Sequence, residues 1–194
     1  MTGSPHRPLR VDAARNAELI VRTAWRVFNE LGTEVPLDEV ARRAGVGVAT
    51  LYRRFPSKDD LLFAILQWRY AEHIEPAIAK ALVDDDPWRA VVATLEASLD
   101  LAAEERPIIR ALRDHGQLKA GLMSRYFVDL AAIVERAQQA GVVRADLRAK
   151  DLPLVFYMVI GAMRVADVGD NWHRCLGLLL DGMRPDAATR LPGD

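Results

Sequence analysis

Cysteine occurs once in these 194 residues, at Cys175. An internal disulfide is therefore excluded, and with no CxxC pair or Cys/His cluster the pattern offers no structural zinc and fits a reducing compartment. Net charge is nearly absent as well: at −1 the chain is not one coated in nucleic acid. Long apolar runs are missing. None approaches the roughly 20 residues that cross a bilayer, and the opening stretch MTGSPHRPLRV lacks the apolar core of a signal peptide. A soluble, cytoplasmic protein without a membrane segment is expected. Convincing strand patterns are missing too, as are low-complexity tracts and any repeat of about 20 to 50 residues, which argues against a helical solenoid. Catalytic signatures are equally scarce. His73 beside Glu72, His115 beside Asp114, and His173 two residues from Cys175 lack the paired ligand spacing of HExxH. No GxGxxG, P-loop or GxSxG motif occurs. The expectation is a protein that is not an enzyme and carries neither metal nor cofactor.

What is present is an ordinary globular mixture, 51% hydrophobic and 27% charged, enough for a sizeable core. The charge is unevenly placed. Residues 1–58 hold ten Lys and Arg against six Asp and Glu, a surplus of four, so the remainder stands at −5. A basic head joined to an acidic body would show such a split.

The apolar residues recur at helical spacing almost throughout, which predicts an all-α chain of about nine helices. Up to about Val11 the sequence reads as a loose arm, from which Arg7 and Arg10 could reach a groove. Asp12 is the expected N-cap of a first helix. Its inward residues are Ala17, Ile20, Val21, Ala24, Phe28 and Leu31, and Gly32 ends it. A short second helix, about Leu37 to Ala44, turns Leu37, Val40 and Ala41 inward, has Asp38 and Glu39 in its first turn and stops at Gly45. A third runs from about Val48 to Phe55 with Leu51 and Phe55 on its buried face. Ala49, Thr50 and Arg53 then point away from that face, and Tyr52 and Arg54 flank it. Pro56 ends it, and Ser57, followed by Lys58, Asp59 and Asp60, caps a long fourth helix toward Leu82 that passes through Pro76. Further helices are expected over 87–105, 106–115, 117–140, 150–168 and 171–183.

Two short helices joined by a glycine turn and followed by a basic, aromatic-bearing edge make a helix-turn-helix. The string AGVGVATLYRRFPSKDDLL, residues 44–62, closely resembles the helix-turn-helix of the TetR family of bacterial transcriptional regulators, where an AGVSxGTLYxxFxxKxxLL-like run spans the turn, the recognition helix and the start of helix four. The match rests on Ala44, Gly45, Val46, Thr50, Leu51, Tyr52, Phe55, Lys58, Leu61 and Leu62. The wording of ATLYRRFPSK is similar to that of an actinobacterial-type subgroup. The resemblance implies a three-helix DNA-binding domain over 1–57 and an effector-binding and dimerisation domain over 58–194. It also implies a DNA-contacting set of Gly47, Val48, Ala49, Thr50, Tyr52, Arg53, Arg54 and Lys58. Within it Tyr52 and Lys58 would meet phosphates, and Thr50, Arg53 and Arg54 are the polar groups most able to reach base edges. Gly47 departs from the family's usual Ser or Thr, so the capping hydroxyl is absent. Arg42 and Arg43 have two competing roles, a favourable charge at the end of the second helix and a phosphate contact.

For the remainder the resemblance implies a homodimer built on the last two helices, and LPLVFYMVIGAMRVADV and CLGLLLDGM are indeed more apolar than surface helices should be. It further implies a cavity for a small apolar or amphipathic effector among helices four to eight. Trp68, Trp88, Met123, Tyr126, Phe127, Phe156 and Tyr157, with Met163, are candidates to line it, although each would serve equally as ordinary bundle core. The expected activity is repression of transcription, relieved when the effector releases the dimer from a palindromic double-stranded operator. A DNA-binding regulator without a small ligand, governed by a protein partner, is the alternative.

Overall fold

The computed structural model describes residues 6–114, 120–165, 171–186 and 189–192. Among them are nine α-helices and no strand: α1 (His6–Leu31), α2 (Leu37–Ala44), α3 (Val48–Arg54), α4 (Lys58–Leu82), α5 (Pro87–Glu104), α6 (Arg106–Asp114), α7 (Ala120–Gln139), α8 (Leu152–Ala162) and α9 (Trp172–Gly182), with one 3-10 turn at Ala149–Asp151. No helix of the described residues is long and apolar enough to cross a membrane.

Helix α1 starts at His6, not at Asp12, so the expected arm is helical from residue 6. Pro8 falls in the first turn, where its missing N–H has no intrahelical partner to lose. The side chains of residues 6–14, and with them the expected reach of Arg7 and Arg10 toward a groove, are not described, and His115, the start of the helix expected from residue 117, and residues 166–168 lie outside the described residues. The helix expected from residue 150 begins as the 3-10 turn and becomes α8 at Leu152. It gives way after Ala162 to tight turns, in which Arg164 N–H donates to Gly161 O at 3.1 Å and Val165 N–H to Ala162 O at 3.1 Å.

The chain divides into two compact units. The first takes the described residues through Trp68 together with the stretch from Glu105 through α6; the second takes Arg69–Glu104 and the described residues after α6. Helix α4 thus supplies its first eleven residues, 58–68, to one unit and the rest to the other.

In the first unit, Ile20, Ala24, Val27 and Phe28 of α1 are buried with Val40 and Ala41 of α2, Leu51 of α3, Leu61, Leu62 and Ile65 of α4, and Ile108 and Leu112 of α6. Leu31 is half exposed, contrary to its place in the expected inward set, because it sits in the last turn of α1 with only Gly32 beyond; Val27 takes the buried position instead. Trp25 meets Trp68 edge to face at 5.9 Å, and its Nε1–H donates to Glu105 Oε1 at 2.9 Å.

In the second unit, α5 and α7 form the centre and α8 packs on both. Val91, Leu95 and Leu99 are buried with Tyr126, Leu130, Ile133 and Val134, and with Leu152, Phe156 and Val159. Two arginines close helix ends that would otherwise leave carbonyls without donors. Arg136 of α7 donates to Ala81 O (3.0 Å), Leu82 O (2.7 Å) and Asp84 O (2.5 Å) at the end of α4. Arg144 donates to Gly182 O at 3.1 Å at the end of α9 while pairing with Asp146 at 2.6 Å, which pushes the Asp146 carboxyl far below its ordinary range.

Candidate nucleic-acid interface

The turn between α2 and α3 is a Schellman motif. Gly45 stands at φ 68°, ψ 27°, in the left-handed region. Val46 N–H donates to Ala41 O at 3.0 Å and Gly45 N–H to Arg42 O at 3.3 Å. A Cβ on Gly45 would meet nothing within 4 Å, so glycine is required there by backbone torsion and not by crowding. Gly47 then takes the extended conformation of an N-cap, φ −66°, ψ 141°, with its carbonyl accepting from Thr50 N–H (2.9 Å) and Leu51 N–H (3.1 Å).

Helix α3 is short, and Leu51, 0% exposed, seats it from the middle. Phe55, buried just past its end, accepts the helix's last turn by donating its N–H to Leu51 O at 2.8 Å. The opposite side is open: Gly47, Val48, Ala49, Tyr52, Arg53 and Arg54 are exposed, and Thr50 is half-buried. The structure therefore brings seven of the eight expected DNA-contacting residues onto one seven-residue helix and its cap. The eighth, Lys58, begins α4 and donates Nζ–H to the Thr33 carbonyl at 2.8 Å. That bond ties α4 to the loop after α1, and among the described residues the ammonium has no carboxylate partner.

The basic residues of the head divide into two kinds. Arg42 donates to Glu39 at 2.7 and 2.8 Å, and Arg43 bridges Glu39 (2.8 Å) and Glu30. Hydrogen bonds from Arg42 and then Arg43 hold the Glu39 carboxyl at about 2, below its ordinary 4.5. Of the two roles open to these arginines, the geometry displays the structural one. Arg53, in contrast, has no ion pair among the described residues, and Arg54 lies over the Phe55 ring at 5.9 Å. The exposed face of α3 thus carries uncompensated positive charge, at the end of the helix where the macrodipole favours it. Sequence reasoning missed the acidic partners. Glu39 stands three and four residues before the arginines, a spacing that signals pairing, but Glu30 comes from α1, thirteen residues away from Arg43, and nothing in the local pattern points to it.

The start of α4 is fixed as firmly as the turn. Asp60 N–H donates to Ser57 Oγ at 3.1 Å, and Ser57 returns both its N–H (3.2 Å) and its hydroxyl (2.7 Å) to Asp60 Oδ2. This is a reciprocal capping box with Asp in the place usual for Glu.

Residues 20–65 match the family of bacterial regulatory proteins named for TetR, and residues 86–185 match the C-terminal domain of SbtR-like transcriptional regulators. The chain is 30% identical to the TetR transcription regulatory protein of Mycobacterium vanbaalenii, covering 91% of this chain and 99% of that one with a TM-score of 0.66. The chain belongs to the TetR family of transcriptional regulators. A TetR transcriptional regulator of Streptomyces coelicolor is similar as well, 29% identical over 87% of this chain and 98% of that one, TM-score 0.64. An HTH-type transcriptional regulator of Staphylococcus aureus is 38% identical over 60 residues, 30% of this chain. The chain spans about a third (32%) of the length of these curated relatives. As a TetR-family member the protein is a transcriptional regulator with a DNA-binding helix-turn-helix, in a family of regulators and not of enzymes.

Gly47 stands where the resemblance leads to an expected Ser or Thr, and the geometry gives the difference a sign. The cap torsions suit serine, and a Cβ there would make only an ordinary 3.8 Å contact with Thr50 Oγ1. Gly47→Ser should therefore fold without strain, cap α3 and place a hydroxyl toward the backbone of bound DNA. Capping itself adds only a few tenths of a kcal/mol over glycine; a phosphate hydrogen bond adds about 1 kcal/mol. Fluorescence anisotropy should show affinity rising about threefold to tenfold on all DNA sequences alike, with sequence preference unchanged.

The expected effector-pocket residues fall into separate places. Tyr126, Phe127, Phe156 and Tyr157 form one continuous aromatic cluster, with neighbouring ring centroids 5.1 to 6.1 Å apart. Tyr126 and Phe156 are buried, Phe127 is half-buried and Tyr157 is half exposed. Met123 is half-buried on α7 and Met163 is buried past the end of α8. Trp68 is not in this group: it belongs to the first unit, against Trp25 and under Arg22 at 5.2 Å. Trp88 is covered by the Arg184 guanidinium at 3.6 Å.

Proposed function

We propose that the protein is a homodimeric, cytoplasmic repressor that reads a palindromic operator and is released by a small effector. Residues 1–57 would serve as reader, and 58–194 for dimerisation and sensing. The observation that carries the reading is the outer face of α3, where Gly47, Val48, Ala49, Tyr52, Arg53 and Arg54 are exposed and Arg53 has no ion pair among the described residues, while Leu51 fixes the opposite face. In this reading Tyr52 and Lys58 anchor phosphates, and Thr50, Arg53 and Arg54, flanked by Val48 and Ala49, meet base edges.

Support for the dimer comes from α8. Leu154, Tyr157, Met158 and Gly161 are all exposed, and their spacing draws a single apolar stripe along one face of the helix. Leu178 of α9 is exposed as well. Support for an effector comes from the aromatic cluster of α7 and α8. Effector binding would displace α4, whose residues serve both units, and so change the separation of two recognition helices that must fit grooves about 34 Å apart.

Site selection from random DNA followed by footprinting tests the reading. Wild type should yield an inverted repeat. Arg53→Ala should lose about 1 to 3 kcal/mol of discrimination at one position of each half-site. Lys58→Ala should weaken binding to every sequence and flatten the salt dependence by roughly one unit per half-site. Recovery of no site would end the proposal.

A further inference from the structure

The interior of the second unit holds a row of hydroxyls. Thr94 donates to the Ala90 carbonyl at 2.8 Å, a bond internal to α5. Ser98 donates to the Thr94 carbonyl at 2.7 Å, so its single proton is committed, and its oxygen accepts from the Tyr126 hydroxyl at 2.6 Å. Tyr70, on the α4 segment of this unit, is different. Its side chain is 93% buried by its relative exposure of 7%, yet its hydroxyl has no hydrogen-bond partner among the described residues. Burial foremost, then the negative charges of Asp129 and Glu75, with Arg125 acting in the opposite sense, raise the phenol above its ordinary 10, so it keeps its proton and remains a donor. A buried donor without an acceptor is uncommon in native interiors and asks for a reason.

The surroundings restrict what could supply the acceptor. Tyr126, through its hydroxyl bond to Ser98, joins the hydroxyls of α5 to the aromatic cluster, since its ring meets Phe127 at 5.1 Å and Phe156 at 5.6 Å. Besides the tyrosines, the buried polar side chains among the described residues of this unit are Thr94, Ser98 and Arg69. The guanidinium of Arg69 is already engaged with Glu104 at 2.6 Å and with His73. The hydroxyls offer no charge to pair with a ligand's charge, and an ion buried without a partner is strongly disfavoured.

We propose that Tyr70 is the specificity handle of the effector site, donating its hydroxyl proton to an acceptor oxygen of an uncharged aromatic ligand held among α4, α5, α7 and α8. This rests on the reading of the protein as effector-controlled and specifies which chemistry the effector carries. An anionic ligand is disfavoured by Asp129 and Glu75, and a pure hydrocarbon would leave the donor as it is.

The test uses the full-length protein and three probes of one shape: benzophenone, with a carbonyl acceptor; diphenylmethane, without one; and 4-benzoylbenzoate, with an added charge. By calorimetry, wild type should bind benzophenone about tenfold more tightly than diphenylmethane, and the charged analogue more weakly than benzophenone. In Tyr70→Phe the first two should agree within about twofold. The ligand-free variant should melt no lower than wild type, because the change removes a hydroxyl that has no bond to lose. Equal binding of benzophenone and diphenylmethane to wild type would overturn the role of Tyr70 while leaving an apolar effector site standing. A melting temperature several degrees lower in Tyr70→Phe would overturn it too, by revealing a structural bond. Failure of all three probes to bind would overturn both this proposal and the effector site in which it is set.

Discussion

Leu154→Asp combined with Leu178→Asp should convert the protein to a monomer that keeps its helical content and loses operator affinity by at least about 100-fold. Both side chains are largely exposed, 62% and 69%, so neither substitution disturbs the core of its own chain, and surface changes of this kind alter folding little. In the proposed dimer the effect is instead on the partner. Across a twofold axis each apolar residue meets the same patch on the second copy, and a buried, unpaired carboxylate there is strongly unfavourable. Affinity falls because two linked readers hold an inverted repeat with avidity of roughly a hundredfold or more beyond one reader. Multi-angle light scattering should give the mass of a single chain, circular dichroism an unchanged spectrum, and a gel shift only weak, salt-sensitive retention. A double variant that stays dimeric would place the interface elsewhere.

Leu51→Ala should destabilise the reading head by about 2 to 5 kcal/mol, the usual range for a leucine removed from a filled core. Leu51 has no exposed surface and is the only residue within α3 that is buried, so α3 has no second apolar residue of its own to hold it. Against a typical total of about 5 to 15 kcal/mol the loss is large. Urea denaturation should show a lowered midpoint, and specific DNA binding should weaken with it. Leu51→Met, nearly equal in volume, should lose less than about 1.5 kcal/mol.

The first unit was legible in the sequence because its signals are local. Gly45 and Gly47 mark a turn by torsion, Ser57 marks a cap, and Leu51 and Phe55 stand one turn apart, so periodicity alone put them on one face. Several features needed three dimensions. The bonds from Lys58 to Thr33 and from Arg43 to Glu30 join residues 25 and 13 positions apart, and Arg136 meets carbonyls more than 50 residues away. No window of sequence contains both partners. Residue type alone cannot distinguish a ring in a cluster, such as Phe156, from one covered by an arginine, such as Trp88. Tyr70 shows the same limit: at helical spacing it reads as core, and only its burial together with the lack of an acceptor among the described residues sets it apart. Helix boundaries shifted where the pattern stayed apolar but the backbone turned, as at Ala162.

Only Phe55, Pro56 and Ser57 separate the recognition helix from α4, and none of them is loose. Phe55 is buried, Pro56 has one backbone torsion fixed by its ring, and Ser57 is locked to Asp60 from both sides. The reading helix is therefore ordered before it reaches DNA and has little freedom to re-aim at an imperfect half-site. A wrong base pair cannot be evaded by a small rotation of α3, so discrimination between neighbouring sequences should be steep. Accommodation falls to the other partner, since a duplex bends and twists more readily at some base steps than at others. In the proposed inverted repeat, positions the protein never touches, between the two half-sites, should then be selected for their flexibility.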